Sequence, residues 1–190
     1  MRKLIGGMKL SLDGKVAGPE GVADWVDGWS EDFGLTPQVD ACLLGGGMYP
    51  TYAQYWTEIQ NEPANRHPFS GEVPTQGEVE WAPFAAQTPH YVLSGSLASA
   101  QWPQTSFVTT LDEIDSLKRQ SGKDIYLIGG ARTTASLIDA GLVDELRLLV
   151  YPLIAGEGTA LFATPVRRGL ELRKVEQLAD GRLSLNYELG

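Results

Sequence analysis

Two short glycine-rich segments have the residue types and spacing best suited to chemistry. They are residues 41–48 (ACLLGGGM) and residues 125–134 (IYLIGGARTT), each an apolar run followed by glycines and the expected start of a helix. Backbone N–H groups at a helix N-terminus carry partial positive charge, and glycine lets a ligand approach closely because it has no Cβ. Both segments therefore predict a site for a phosphate or pyrophosphate group.

Each segment by itself also fits a tight strand-to-helix turn that binds nothing. Neither contains the G-x-G-x-x-G or P-loop pattern, so the spacing identifies no particular cofactor. Because both turns are expected at the carboxyl ends of strands in one sheet, together they favour a dinucleotide crevice. Arg132 follows Gly129 by three positions, where its cation either meets a bound anion or lies on the surface.

Acidic residues near the start of the chain are the candidates for proton transfer. Asp13 follows an apolar strand and either caps its own turn or contacts a ligand at the strand end. The segment Val22–Phe33 has apolar residues at helical spacing, and its tryptophans, Trp25 among them, fit a core better than a substrate stack. The acids between them form a solvated helix face or include one carboxyl proton donor: Asp24, Asp27, Glu31 and Asp32.

Several other chemistries find no support in the residue pattern. Neither His67 nor His90 has a partner at metal-ligand spacing, so no metal site is expected. The G-x-S-x-G pattern of a hydrolase nucleophile is absent, and Cys42 has no partner for a disulfide within the chain. With a formal net charge of −9, the surface repels a phosphate backbone, so nucleic acid is not an expected partner.

The composition and length suit one globular domain covering residues 1–190. No apolar run approaches the roughly 18 residues of a membrane-spanning helix. The first residues include two cations but no adequate apolar signal region or cleavage site. We therefore expect a cytoplasmic protein with no membrane partner and a small-molecule substrate.

The elements that must position these residues follow from hydrophobic periodicity and turn signals. Strands are predicted over residues 3–12, 39–44, 90–93, 106–109, 124–128 and 142–152, and helices over residues 22–33, 48–59, 111–119 and 133–140. Two further strands, 170–178 and 182–189, flank an Asp-Gly turn and predict a closing hairpin. The alternation indicates an α/β fold, with a mostly parallel central sheet, flanking helices and a C-terminal antiparallel hairpin.

Residues 61–89 form the least regular segment, with five prolines and little periodicity. A structureless loop of that length is either functional or conceals an element. We expect a flap or excursion, with a short strand around residues 79–81.

Several of these pieces together resemble a known family, the reductase domain of riboflavin biosynthesis (the RibD C-terminal domain), which has the dihydrofolate-reductase-like fold. The resemblance rests on residues 11–14 (SLDG), 43–49, 91–94 (YVLS), 128–131 (IGGA), 141–146 (GLVDEL) and 152–162. It covers nearly the whole chain, with residues 61–83 as the clear exception.

The resemblance implies a stand-alone reductase that uses NADPH and forms a homodimer. By position, the adenosine and phosphates would lie along Gly45, Gly46, Gly47, Met48, Tyr49, Ser94, Gly95 and Ser96. The pyrophosphate would lie against Gly129, Gly130, Ala131, Arg132 and Thr133, and the nicotinamide and substrate would face Ser11, Asp13 and Trp25.

The sequence also departs from the family pattern. An Arg that usually meets the 2′-phosphate of NADPH is missing, since Gly46 and Gly95 stand where a cation is often found. Arg66 and His67 are the remaining candidates for that charge, and NADH use is possible. The substrate lysine and glutamate of the riboflavin enzyme fall at Gly7 and Ile128, which argues against its own pyrimidine ribityl substrate.

The sequence thus predicts a reductase that transfers a hydride from NADPH to a small heterocyclic or carbonyl substrate. The protein would hold cofactor and acceptor together in a dry cleft. Asp24 is the first candidate for the proton donor and Asp13 the second. Two alternatives remain open: dihydrofolate reductase activity, with Asp24 or Asp27 as a buried acid, and a non-catalytic nucleotide-binding protein that retains the fold. We expect residues 142–152, apolar on both faces, to be partly buried in a two-fold dimer.

Overall fold

The computed structural model describes residues 1–26, 28, 33–67, 71–162 and 166–190. Ten strands and four helices lie in this part of the chain. The strands are β1 (Leu4–Ser11), β2 (Lys15–Ala17), β3 (Val39–Gly45), β4 (His90–Leu93), β5 (Thr105–Val108), β6 (Asp124–Gly129), β7 (Glu145–Tyr151), β8 (Thr159–Ala160), β9 (Leu170–Gln177) and β10 (Leu183–Leu189). The helices are α1 (Tyr49–Asn61), α2 (Gln76–Gln87), α3 (Leu111–Arg119) and α4 (Ala131–Asp139).

Eight of the strands form one sheet in the order β5-β4-β3-β6-β1-β7-β10-β9. The first six are parallel, and β10 and β9 close the sheet as an antiparallel hairpin beside β7. The carboxyl ends of the parallel strands therefore meet along one edge, which we call the carboxyl edge. β2 and β8 pair separately, next to the end of β1. This confirms the predicted fold class.

The helices cover the two faces of the sheet in pairs. On one face, α1 and α2 pack over β3 and β6 through a core that includes Tyr52, Trp56 and Trp81. On the other face, α3 and α4 pack through Ile114 and Leu137, together with the apolar side chains of β1 and β7. Since parallel strands are buried on both faces, their sequences are apolar runs, as the sequence analysis assumed.

The prediction of a strand around residues 79–81 is wrong, because these residues lie inside helix α2. Thr75 caps that helix, accepting a hydrogen bond from the Glu78 N–H, while the Glu78 carboxylate accepts from the Thr75 N–H. Pro83 lies within the helix, and because proline usually interrupts a helix, composition alone predicts an irregular segment here. The segment is therefore a flanking helix rather than a flap.

The helix predicted over Val22–Phe33 is also wrong over the residues described there. Residues 22–26 form a turn in which the Val26 N–H donates to the Ala23 carbonyl at 3.1 Å. Asp27, Trp29, Glu31 and Asp32 lie outside the described residues. The apolar spacing is therefore not that of a buried helix face, since Val22 is exposed and Trp25 lies over the loop at Gly18, while the ring of Phe33 packs edge-on against Tyr126.

The strand over residues 142–152 is shorter than expected and is not an edge of the sheet. β7 pairs with β1 on one side and with β10 on the other. Leu146, Leu148 and Leu149 are buried within the same chain. The premise that a second copy must cover this strand is therefore wrong, because the chain's own hairpin covers its edge.

Candidate functional site

Three turns at the carboxyl edge lie in contact with one another, and one of them also contacts strand β1. A Cβ on Gly46, in the turn after β3, would lie 2.6 Å from the side chain of Ser94, after β4. A Cβ on Gly45 would lie 2.2 Å from Thr133 Oγ1, at the start of α4, and one on Gly129 would lie 2.7 Å from Met8 on β1. Glycine is required at these positions because the neighbouring turns approach so closely.

The turn after β3 leads into a helix start that is poorly equipped to bind an anion. Pro50 occupies the first turn of α1 and has no N–H to donate. Tyr49, predicted beside the cofactor, is buried: its hydroxyl accepts from the N–H groups of Gln101 and Trp102. Its side chain therefore belongs to the core rather than to a ligand surface, while Gly47 is exposed and a Cβ there would meet nothing.

The turn after β6 leads into a helix start with free donors. α4 begins at Ala131 with no side-chain cap and no proline in its first turn. A Cβ on Gly130 would meet nothing within 4 Å, and its φ of −65° is ordinary for any residue. The hydroxyl of Thr134 is fully buried, 3.7 Å from the point where a Cβ on Gly129 would lie, and finds no hydrogen-bond partner among the described residues. A buried hydroxyl of this kind suits a ligand that supplies the missing bond.

The other two helices satisfy their own first N–H groups. α2 and α3 both begin with a capping box, formed by Thr75 with Glu78 and by Thr110 with Glu113. Their first turns are therefore occupied by carboxylates of the same chain. Of the four described helices, α4 combines an uncapped first turn with open glycine backbone at the carboxyl edge.

The turn after β4 borders the turn after β3. Ser94 Oγ accepts hydrogen bonds from the N–H groups of Ser96 at 3.2 Å and Leu97 at 3.1 Å, which fixes the turn. Gly95 is exposed, and a Cβ there would meet nothing within 4 Å. The structure thus brings together residues 45–48, 94–96 and 129–133, as the sequence predicted.

Asp13 clamps the end of β1 and is a poor proton donor. Its carboxylate accepts from Ser11 Oγ at 2.6 Å and from the N–H groups of Ala155 and Gly156, both at 2.9 Å. These hydrogen bonds lower the pKa of Asp13 to about 2, and the bond from Ser11 contributes most to that shift. Asp13 is therefore ionised at neutral pH and cannot donate a proton there, and the fully buried Ser11 hydroxyl is already engaged.

Asp24 and Trp25 lie on the irregular segment that precedes β3. Asp24 is exposed in the turn at residues 23–26, so it is not the buried acid that folate reduction requires. Trp25 is half-buried over the loop at Gly18, and its indole N–H is buried with no partner among the described residues. The predicted role of Asp27 falls outside the described residues.

Two polar side chains near this segment escaped the sequence analysis. Lys9 lies on β1, two residues beyond Gly7, and its amine donates to the carbonyl of Gly28 at 2.6 Å. Glu78 is buried on α2 and accepts from the Tyr55 hydroxyl, and a Cβ on Gly28 would lie 2.4 Å from its Oε1. Lys9 could have been identified as the one charged residue in the apolar run 4–11, whereas Glu78 was hidden by the unrecognised helix.

The two expected substitutes for the missing Arg lie far from the turns. His67 is buried against Tyr55 and Glu58, with Nε2 3.2 Å from a carboxylate oxygen of Glu58. These two positions are about 10 to 15 Å along α1 from Met48. Arg66 donates to the Gly71 carbonyl at 2.8 Å, in the same segment. Neither side chain can reach the carboxyl edge at Gly46, whereas Arg132 is exposed at the start of α4.

Two further properties concern the described residues as a set. They contain no group of three or more His, Cys, Asp or Glu side chains that could hold a metal ion. None of the four helices described is long and apolar enough to cross a membrane.

Comparison with known families and proteins agrees with this architecture. The family description of the RibD C-terminal domain matches residues 2–183. "Uncharacterized protein YyaP" of Bacillus subtilis (strain 168) is 32% identical over 192 residues, covering 98% of this chain and 94% of that protein.

Solved structures show the same fold at low sequence identity. A provisionally assigned riboflavin biosynthesis protein from Shewanella sp. PV-4 has a TM-score of 0.70 and 20% identity, covering 99% of both chains. Dihydrofolate reductase from Enterococcus faecalis, complexed with NADP(H) and RAB-propyl, has a TM-score of 0.64 and 14% identity, covering 99% of this chain and 96% of that one. The fold is therefore dihydrofolate-reductase-like.

Proposed function

The chain belongs to the RibD C-terminal domain family, and we propose that it is a nicotinamide-dependent reductase. The family supports a reductase of the riboflavin-pathway type. In the proposed reaction, a hydride passes from NADPH or NADH to a small heterocyclic substrate, as in 5-amino-6-(5-phosphoribosylamino)uracil reductase. Because Gly7 and Ile128 replace that enzyme's substrate lysine and glutamate, we propose a different heterocycle as the acceptor.

The observation that carries the proposal is the start of α4. Its first turn has uncapped N–H groups, its preceding residue Gly130 leaves open space, and the buried hydroxyl of Thr134 has no partner among the described residues. A pyrophosphate bound there would accept from Ala131, Arg132 and Thr133 N–H groups. The cation of Arg132 is exposed beside it.

The remaining turns give the cofactor a direction along the carboxyl edge. Gly47 and Gly95 offer open, exposed backbone on the β3–β4 side, where we place the adenosine. The β1 side, with the clamped turn at Asp13 and the half-buried Trp25, is where we place the nicotinamide and the acceptor. When bound, the reduced nicotinamide supplies the hydride.

On the acceptor side, this chain supplies orientation and a cation. The Asp13 clamp fixes the end of β1 against residues 155 and 156. Lys9 projects from β1 to the carbonyl of Gly28 and is the cation closest in sequence to this strand end. For the proton we propose Asp24 or water, since the low pKa of Asp13 removes that residue as a donor at neutral pH.

The experiment that tests this function combines binding with turnover. Quenching or enhancement of nicotinamide fluorescence measures binding of NADPH and NADH. Oxidation of the cofactor is then followed across a panel of pterins, flavin precursors and ketones. Binding with turnover of a heterocycle supports the proposal, and turnover of dihydrofolate alone would identify a folate reductase. Binding without turnover of any acceptor would point to a nucleotide-binding protein, and no binding of either cofactor would contradict the proposal.

We also propose that the protein is a homodimer, as the family resemblance implies. Exposed apolar side chains available for such contacts include those of the hairpin, where Leu172 and Val175 of β9 are about half exposed (49% and 56%). Light scattering should give twice the chain mass of 20.6 kDa at micromolar concentration. A mass equal to that of one chain would contradict the dimer.

A further inference from the structure

Resting on the proposed function, we infer that this reductase does not select NADPH through its 2′-phosphate and binds NADH about as tightly. The basis is the distribution of cations around the carboxyl edge. A site that prefers NADPH needs a cation or several donors in reach of the 2′-phosphate, as an Arg provides in dinucleotide-binding folds. The part of the edge that we assign to the adenosine has no Lys or Arg.

All fifteen Lys and Arg residues of the chain belong to its described part, so each of them has a known position relative to the carboxyl edge. Eleven of them lie towards the amino ends of the strands, on β9, or in the segment after α1. These are Arg2, Lys3, Arg66, Lys118, Arg119, Lys123, Arg147, Arg167, Arg168, Arg173 and Lys174. Several are held there by carboxylates or carbonyls, as Lys118 is by Asp144 at 2.7 Å.

The four remaining cations lie at or near the carboxyl edge. Three of them are on the β1–β7 side of the α4 start, away from the proposed adenosine site, and the fourth lies at the α4 start itself. Lys9 and Lys15 belong to the end of β1 and to β2, and Arg182 packs over the ring of Tyr151 at the end of β7. Arg132 stands at the first turn of α4, beside the proposed pyrophosphate. The ends of β3, β4 and β5 therefore have no cation of their own.

Acidic residues occupy the end of β5 instead. Asp112 and Glu113 lie in the first turn of α3, directly after that strand. β5 neighbours β4, and the Ser94 N–H donates to the Val108 carbonyl at 2.9 Å, so the two turns are adjacent. Hydrogen bonds from the Thr109 and Thr110 N–H groups lower the pKa of Glu113, which stays charged. A 2′-phosphate at these turns meets negative charge where NADPH enzymes have positive charge.

The consequence for affinity is a loss of selectivity, because both cofactors share the pyrophosphate contacts. A charged hydrogen bond is worth about ten- to hundredfold in affinity. Without it, the ratio of dissociation constants for NADH and NADPH should lie below about tenfold. Arg132 should act on both cofactors alike, since its proposed contact is with the pyrophosphate.

Isothermal titration of the full chain with NADH and NADPH at two ionic strengths tests the inference without any acceptor. We expect the dissociation constant for NADH divided by that for NADPH to lie below about tenfold. This ratio should not fall as salt rises, because the 2′-phosphate has no attraction to a cation that salt could screen. A hundredfold preference for NADPH that weakens with salt would overturn the inference and leave the proposed function standing. Failure of both cofactors to bind would instead overturn the proposed function.

Gly95 offers a gain-of-function variant, because a side chain there meets open space and its backbone suits any residue. Gly95→Arg should raise the affinity for NADPH relative to that for NADH at least about fivefold. Gly95→Gln is the matched neutral control: its side chain has no charge, so it should alter the two affinities by the same factor and leave their ratio unchanged. Equal effects of Gly95→Arg on the two cofactors would overturn the placement of the adenosine ribose at this turn.

Discussion

The turns after β3 and β6 have the same construction in sequence and different properties in the structure. Each contains at least one crowded glycine, Gly45 and Gly46 in the first and Gly129 in the second, whose Cβ would press on a neighbouring turn or strand. Each also contains one open glycine, Gly47 or Gly130, whose Cβ would meet nothing. The helices that follow differ, because α1 has a proline in its first turn and α4 does not.

The difference shows that glycine in such a turn serves two separate purposes. At the crowded positions it allows adjacent strands of one sheet to end side by side. At the open positions it leaves backbone N–H groups accessible, which matters only where the helix still has donors to offer. A strand, glycines and a helix start are therefore insufficient evidence for an anion site. Whether such a turn can bind an anion depends on the first turn of the helix that follows it.

The largest expected effect is on stability, at a crowded glycine. Gly45→Val inserts a branched side chain 2.2 Å from Thr133 Oγ1 and should lower the free energy of unfolding by about 1 to 3 kcal/mol. Urea unfolding followed by tryptophan fluorescence measures it. An unchanged midpoint would show that Thr133 moves away at no cost and that the two turns are not tightly coupled.

The open glycines should separate the two turns in binding rather than in stability. Gly130→Val should weaken binding of NADH and NADPH at least about tenfold, because the side chain enters the space of a bound pyrophosphate. Its unfolding free energy should change by less than about 1 kcal/mol, since φ is −65° and no atom is near.

Gly47→Val is the matched control in the other turn. It should reduce affinity by no more than about threefold, since α1 contributes fewer donors to the ligand. Equal losses from the two variants would mean that both turns hold the pyrophosphate, and no loss from Gly130→Val would remove the α4 site.

A smaller effect is expected from the buried hydroxyl beside α4. Thr134→Val keeps the shape and removes an oxygen that has no partner among the described residues. The free protein should unfold at the same free energy or at one higher by up to about 1 kcal/mol. Cofactor affinity should fall about three- to tenfold if the ligand accepts from this hydroxyl. Calorimetry of both quantities distinguishes the two roles, and a loss of stability would show that the hydroxyl is bonded in the free protein.

The smallest effect concerns the turn after β1, where a carboxylate replaces the glycines. The pKa of Asp13 is about 2 in the folded protein, below its ordinary value of 3.8. Its hydrogen bonds therefore stabilise the fold above about pH 4, and that contribution is lost as the pH falls from about 4 to about 2. The melting temperatures of wild type and Asp13→Asn should differ above pH 4 and converge towards pH 2. A constant difference across this range would show that the charge does not matter.

Much of the fold follows from local sequence. Helix α3 lies at the predicted residues 111–119 because its capping box, its amphipathic spacing and its charged ends agree. The strands β3, β4 and β6 were predicted to within one residue, as short apolar runs that end at glycines or turn residues. The hairpin of β9 and β10 follows from its Asp-Gly turn. In each case the signal lies within a few residues of the element that it specifies.

The local signals also predict that the three segments of the candidate site lie together, because the carboxyl ends of parallel strands share an edge. These signals do not assign the side chains within the segments. Tyr49 turns into the core to bind the backbone at residues 101 and 102, and Asp13 is held by N–H groups at residues 155 and 156. Both outcomes depend on partners far away in the sequence.

Only the tertiary structure decided the remaining features, for the same reason. Helix α2 continues through Pro83, where Trp81 packs against Trp56, while residues 22–26 have apolar side chains at helical spacing yet are not helical. The sequence by itself determined the order of strands and helices, the position of the glycine turns and the absence of an Arg at Gly46 and Gly95. Which cations lie within reach of the α4 start, and whether the Thr134 hydroxyl finds a partner, depended on how distant segments pack, since periodicity records burial but not the partner.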